Sequence, residues 1–413
     1  MSTSEILTIT IVFAALFAYI NHRLIKWPPT IGIMVLSLGS SILVAVFGKF
    51  YPIMSDKVIQ LASSIDFRNV LMNFMLSFLL FAGAIHIDES KLKKERWPVL
   101  VLSTVGILIS TTIVGGIVFY LFQLFHLPIP FIHCLLFGSL ISPTDPIAVL
   151  AILKEAKIPS SLEFKIAGES LFNDGVAVVI FVTLIDVAQT GASALDIVAV
   201  GKLFIQEAVG GIVFGGLLGY IGYFALRSID DYNVEVLVTL AIVLGGYLIA
   251  GRLHVSGPLA MVVAGIITGN KVKEEVLSAT SRDYLIKFWE LIDEILNAVL
   301  FLLIGLEMLI IKINVTVLII GVITIFIVLF ARFISVYLPV QLLKYFIKLE
   351  KHAVAILTWG GIRGGLSVAL ALSLSPEMHR DEFVLITYVI VVFSILIQGL
   401  TIGSFTKRLL SKN

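Results

Sequence analysis

The stretches Ser142–Pro146 (SPTDP) and Gly168–Gly175 (GESLFNDG) place aspartate and glutamate residues inside sequence that is otherwise compatible with lipid. An ionised carboxylate at bilayer depth is costly. Such residues usually face the interior of a helix bundle and mark an ion or proton pathway. The two stretches therefore predict a polytopic membrane protein with an ion site inside its helix bundle.

The whole chain has the composition of a membrane protein. Of its 413 residues, 59% are hydrophobic and 14% are charged, whereas soluble domains are about 25% charged. The net charge of +1 gives no reason to expect nucleic acid, so the expected partner is the lipid bilayer. We expect no cofactor and no enzyme activity, because the sequence has no zinc-ligand spacing, phosphate-binding loop or enzyme-type nucleophile.

Hydropathy predicts an all-α protein with about thirteen transmembrane helices, since a bilayer core takes roughly 20 apolar residues per helix. Lys and Arg residues are concentrated in one set of alternate connections. The positive-inside rule then predicts a multi-pass protein of the cell (inner) membrane, with the N terminus outside and the C terminus in the cytoplasm. The predicted spans are residues 5–22, 30–48, 69–87, 98–124, 131–153, 162–187, 203–227, 235–251, 256–270, 287–311, 314–343, 351–374 and 383–405.

The sixth predicted span carries four oxygen-bearing side chains on one face. At 100° per residue, Glu169, Ser170, Asn173 and Asp174 fall within an arc of about 140°. Asp174 follows Lys165 by nine residues, which corresponds to about 13 Å along the helix axis and a depth near the membrane midplane. This face is a candidate cation- and proton-binding surface.

The fifth predicted span is expected to be interrupted. Pro143 and Pro146 lack an N–H group, and each also biases its predecessor away from helical geometry. Thr144 and Asp145 should therefore lie in an unwound segment with free backbone oxygens. Non-helical backbone at this depth is tolerated only inside the protein or along a water-filled cavity.

The twelfth predicted span is a second broken helix. Its sequence from 360 to 365, GGIRGG, surrounds Arg363 with glycines, among them Gly361 and Gly364, which weaken a helix. Close packing of small residues would be the other reason for these glycines. Interrupted helices in matching positions of two halves point to a transporter site. We therefore predict two inverted repeats, spans 1–6 and 8–13, whose broken helices cross near the midplane.

Arg332 lies inside the eleventh predicted span, far from either interface. A buried guanidinium needs a carboxylate partner. Glu169 is the expected partner, which would leave Asp174 free to titrate; pairing of Arg332 with Asp174 or Asp145 is the alternative.

These motifs resemble those of the monovalent cation:proton antiporters of the NhaP/NHE type. The resemblance is carried by Pro143–Pro146, Glu169–Asp174 and the glycine-arginine stretch Trp359–Gly365, and it spans nearly the whole chain. It implies the Na⁺/H⁺ antiporter fold with two parts, and a homodimer. The core would comprise approximately 98–187 and 314–405, and the dimerisation or scaffold part approximately 1–97 and 203–311.

The resemblance also assigns roles to residues. Asp174 would be the main ligand of the transported Na⁺, assisted by oxygens of Ser170, Thr144 and Asp145. The family's intramembrane ion pair maps onto Glu169 and Arg332. Related electrogenic antiporters carry Asp at the position of Asn173, so Asn173 favours electroneutral exchange.

The predicted function is exchange of Na⁺, or Li⁺, for H⁺ in pH homeostasis, by competition of cation and proton for Asp174. A K⁺/H⁺ antiporter, or a proton-coupled carrier of another solute on the same fold, is the alternative. An intramembrane aspartyl protease would also use two aspartates. The proline-flanked context of Asp145 and the absence of a Gly-x-Gly-Asp sequence argue against the protease.

Overall fold

The structure is a computed structural model that describes residues 3–48, 59–60, 70–145, 149–150, 153, 158–190, 197–275, 278–344, 349–350 and 352–411. Over these residues it contains helices and connections and no β-strand, which confirms the predicted all-α fold. The helices are α1 (Thr3–Ile20), α2 (Pro29–Phe47), α3 (Leu76–Ile85), α4 (Glu89–Leu124), α5 (Phe131–Ile141), α6 (Ser160–Thr190), α7 (Ile197–Arg227), α8 (Tyr232–Arg252), α9 (Gly257–Glu275), α10 (Ala279–Glu307), α11 (Val315–Leu342), α12 (Ala353–Trp359), α13 (Gly365–Leu372), α14 (Arg380–Phe393) and α15 (Leu400–Leu410).

Many of these helices are suited to cross a bilayer. Among the described residues, eight helical segments are long and apolar enough to do so, and α3, α5 and the apolar part of α9 are shorter apolar helices. A polytopic membrane protein is therefore confirmed. The count of thirteen spans stays a prediction.

Helices α4 and α10 begin eight or more residues earlier than hydropathy predicts. The predicted span 98–124 lies within α4, which begins at Glu89 because the Asp88 carboxylate accepts hydrogen bonds from the backbone N–H groups of Ser90 and Lys91. The predicted span 287–311 corresponds to α10, which begins at Ala279 and is capped by Ser278. In α10 the charged first turns continue the same helix. In α4 they join the apolar part across a kink at Glu95, whose φ of −101° and ψ of 15° are non-helical.

Two predicted spans are interrupted. Span 131–153 contains α5, which ends at Ile141, and span 351–374 is divided into α12 and α13 by residues 360–364. Within the described ranges, three segments are π-helical, namely Asn21–Ile25, Leu71–Met75 and Ser394–Gly399. The last of them joins α14 to α15 and lies beside the second interruption.

The helices before and after the middle of the chain pack directly on one another. Helix α4 packs against α5, α6 and α11, and α11 also packs against α14. Helix α9 packs against α3 and α7. The first group of helices places the two interrupted segments next to each other.

Candidate functional site

The first interruption follows α5. Ser142, Pro143 and Thr144 are buried, and Thr144 and Asp145 lie in non-helical backbone. Pro146 lies outside the described residues, but as a proline it has no N–H group to bond the carbonyl of Ser142. The Arg363 guanidinium supplies a substitute, because its Nη1 donates to the carbonyl oxygens of Ser142 and Pro143, the latter at 2.9 Å.

The second interruption crosses the first in direct contact. The backbone N–H of Asp145 donates to the carbonyl oxygen of Ile362 at 2.8 Å. A Cβ on Gly364 would collide with the Asp145 carboxylate, so only glycine lets the two segments approach this closely. Where α12 ends, the Gln398 side chain donates to the carbonyl oxygen of Trp359 at 2.8 Å, which satisfies a group that the break leaves without a helical partner.

Glu169 and Arg332 form a two-pronged ion pair beside this crossing. Arg332 Nη1 lies 2.5 Å from Glu169 Oε1, and Nη2 lies 2.8 Å from Oε2. The side chains are 5% and 1% exposed. Arg332 Nε also donates to the carbonyl oxygen of Leu357 at 3.2 Å. The pair matches the geometry that a buried charge pair requires, and each of the three guanidinium nitrogens of Arg332 donates one hydrogen bond.

Three neutral side chains link α6 to the first interruption. Asn173 Nδ2 donates to Thr144 Oγ1 at 2.9 Å, and Asn173 Oδ1 faces the backbone N–H of Thr144 at 3.5 Å. The Ser170 hydroxyl donates to the carbonyl oxygen of Thr144. Asn173 is fully buried. These contacts fix the unwound backbone against the polar face of α6.

Asp174 is in a different situation. It is half-buried and close enough to Asp145 and Glu169 to interact with both electrostatically. Within the described part of the chain, no hydrogen bond or ion pair to its carboxylate is observed. Its oxygens therefore remain available for an ion or a proton.

A small polar cavity lies at the crossing. It measures about 10 Å³ and is lined by Thr144, Asp145, Glu169, Ser170 and Arg332, among others. That volume holds about one water molecule. The cavity brings together three of the four predicted cation ligands, whereas Asp174 does not line it.

One acidic residue near the site was missed at the sequence level. Asp293 of α10 is close enough to Asp145 to interact with it electrostatically, and its half-buried side chain lies one turn before the buried Asn297. The sequence analysis assigned no role to Asp293, although it lies within the predicted span 287–311. The signal that could have found it is a carboxylate inside a predicted span, one helical turn before Asn297.

Lys165, one turn before Glu169 on α6, is the second missed residue. Its side chain is 3% exposed, and Nζ lies 3.0 Å from Glu350 Oε1 and 3.3 Å from Glu95 Oε2. Burial would raise the pKa of Glu350, but hydrogen bonds from Ser161 and Lys165 outweigh it and lower that pKa. This cluster ties the beginnings of α4, α6 and α12 together at one end of the bundle.

Carboxylates and backbone oxygens gathered where two interrupted membrane helices cross define the class of secondary transporters with an ion site inside the bundle. A family model described as "Sodium/hydrogen exchanger, transmembrane" matches residues 11–408. The Na⁺/H⁺ antiporter NhaP of Pseudomonas aeruginosa is 48% identical over 404 residues, covering 97% of this chain and 95% of that protein. The chain belongs to the sodium/hydrogen exchanger family.

Two further comparisons support the assignment. The Na⁺/H⁺ antiporter NhaH of Halobacillus dabanensis is 34% identical over 395 residues, 94% of this chain and 93% of that protein. The solved structure of the sodium proton antiporter MjNhaP1 from Methanocaldococcus jannaschii superimposes with a TM-score of 0.77 at 20% identity, covering 98% and 97% of the two chains. The latter comparison shows the same fold.

Proposed function

We propose that this protein is a Na⁺/H⁺ antiporter of the cell (inner) membrane that also accepts Li⁺. The observation that supports this most strongly is the crossing of the two interrupted helices. There the backbone N–H of Asp145 donates to the carbonyl oxygen of Ile362, and Asp145 lines a cavity together with Thr144 and Ser170. The relatives named above are Na⁺/H⁺ antiporters over nearly the same length of chain.

The mechanism is competition of one cation and one proton for Asp174. Glu169 is neutralised by Arg332, so it does not compete for the cation, whereas Asp174 has no such partner among the described residues. Oxygens of Ser170, Thr144 and Asp145 complete the coordination, since hard cations favour oxygen ligands. Only the neutralised site then crosses between inward-facing and outward-facing states.

The exchange is electroneutral. Position 173 carries an amide that is fully buried and bonded to Thr144, not a second carboxylate. With one Na⁺ exchanged for one H⁺, no net charge crosses the membrane. The membrane potential, worth about 2.3 kcal/mol per charge per 100 mV, then contributes nothing to the driving force. Electrical recording on a supported membrane checks this: a transport current that scales with voltage would contradict it.

The architecture that carries the site has a core, approximately 98–187 and 314–405, and a dimerisation or scaffold part, approximately 1–97 and 203–311. The packing of α4 and α6 with α11 across the core supports the first grouping.

The assembly is a homodimer with the N terminus outside. The same topology places the C terminus in the cytoplasm. A fluorescent protein fused to the C terminus should therefore fluoresce, because it folds only in the cytoplasm.

Proteoliposomes with an internal pH dye test the function. Pulses of Na⁺ and Li⁺ should drive proton movement in the unmodified protein, and Asp174→Asn should abolish it. Asp186→Asn is the matched control, because Asp186 is an exposed aspartate on the same helix α6. Proton flux that survives Asp174→Asn would identify Asp145 as the binding residue instead of Asp174. Proton flux that is driven by K⁺ but not by Na⁺ or Li⁺ would identify K⁺ as the substrate. Absence of flux with all three cations, in folded protein, would contradict cation antiport.

A further inference from the structure

An open groove of about 470 Å³ lies between α11, α12 and α15, and Ala355 is among the residues that line it. Phe333 and Tyr337 of α11 are both 41% exposed along one side, whereas Arg332 on the same helix points to the ion pair. The groove is within the range of roughly 300–1,000 Å³ that is typical of ligand pockets.

The walls of the groove are aromatic. Phe333 and Tyr337 stack with ring centroids 5.4 Å apart on one side, and Trp359 and Phe405 lie 6.0 Å apart on the other. The indole N–H of Trp359 donates to the Thr401 hydroxyl at 3.0 Å. The polar atom of the indole is thus satisfied outside the groove, and the lining is suited to a hydrocarbon chain.

One end of the groove is basic. His352, the residue before α12, lines it, and exposed Lys344 follows the end of α11. The chain turns back between α13 and α14, so α15 returns to the same end, where Lys407 and Arg408 are exposed just beyond Phe405. Glu350, in the same connection as Lys344 and His352, is paired with Lys165.

We propose that the groove binds an anionic phospholipid of the leaflet at this basic end. One acyl chain lies between the aromatic walls, and the phosphate is held by Lys407, Arg408 and His352. Basic pockets between transmembrane helices bind anionic lipid headgroups in this way. The proposal depends on the chain lying in a bilayer and is independent of which ion is transported.

Native mass spectrometry and thermal unfolding in detergent test the proposal, with phosphatidylglycerol compared with phosphatidylcholine of the same acyl chains. Phosphatidylglycerol should remain bound and raise the melting temperature, and phosphatidylcholine should not. The double variant Lys407→Gln/Arg408→Gln should weaken the binding roughly 10- to 30-fold. The control Lys94→Gln/Arg96→Gln removes one exposed Lys and one exposed Arg at the same end of the bundle, on α4, and should change it less than twofold.

A second variant tests the groove without changing charge. Ala355→Phe should fill part of the groove and abolish the selective binding, whereas Leu108→Phe, at an exposed apolar position of α4, should not. Should Ala355→Phe fail to fold, the charge variants still decide the outcome. Equal binding of both lipids, or equal loss in the two charge variants, would overturn the proposal in favour of unselective lipid around the protein.

Discussion

The two interruptions at the crossing are built from opposite chemistry. Residues 142–145 present carbonyl groups and the Asp145 carboxylate, whereas residues 360–364 present the Arg363 guanidinium and close-packed glycines. The second segment binds the first through Arg363 and through the carbonyl of Ile362. In the proposed function, one interruption supplies the ion ligands, and the other holds them in place. Variants in each segment separate the supply of ligands from their positioning, and their expected effects differ in size.

Arg332→Met should have the largest effect, because it leaves the Glu169 carboxylate buried without its partner. Removing one member of a buried pair costs about 3–5 kcal/mol of unfolding free energy, which unfolding in SDS mixed micelles measures. The double variant Glu169→Gln/Arg332→Met should recover at least half of the loss. A loss below about 1 kcal/mol in the single variant would contradict the geometry of the pair.

Gly364→Ala should come next, since its Cβ collides with the Asp145 carboxylate. Overpacking of this kind costs about 1–3 kcal/mol. Proteoliposome flux should also show a raised half-saturating Na⁺ concentration, because Asp145 is displaced. Gly116→Ala is the control, because a Cβ added there would meet nothing within 4 Å apart from the adjacent backbone of its own helix. Equal flux parameters in the two variants would show that the contact is not needed.

Arg363→Lys tests the holding segment alone. The lysine keeps the charge but loses the planar fork that reaches the carbonyls of Ser142 and Pro143. We expect a loss of about 1.5 kcal/mol, the lower range for a hydrogen bond to a charged group. Arg363→Gln, which also removes the charge, should lose more in the same unfolding assay. The reverse order would mean that charge at this position destabilises the crossing.

Thr144→Val should have the smallest effect and tests the ligand segment alone. It removes the hydroxyl that accepts from Asn173, which is worth about 1 kcal/mol. Thr144→Ser keeps the hydroxyl and should behave like the unmodified protein in Na⁺-dependent flux. If Thr144→Ser is impaired as strongly as Thr144→Val, the methyl group matters and the hydroxyl does not.

Some of the crossing could be predicted from the sequence because its causes are local. Prolines at 143 and 146 and glycines around Arg363 act within one helical turn, so the interruptions follow from residue type. Glu169 was the expected partner of Arg332, and the structure places the two in contact.

Other features depend on packing between distant segments. The hydrogen bond from Asp145 to Ile362 and the approach of Asp293 to Asp145 arise only when the helices are assembled. The burial of Lys165 likewise depends on Glu350, which lies 185 residues away in the chain. Residue type and periodicity did not indicate these particular contacts.

The separation of Glu169 and Arg332 along the chain has a consequence for biogenesis. The two residues are 163 positions apart, and ribosomes add about 5–20 residues per second. Glu169 therefore enters the membrane about 8–30 seconds before its partner is made. During that interval the carboxylate has no arginine to neutralise it. The nascent first half of the protein is expected to be the stage at which insertase or chaperone contacts matter most.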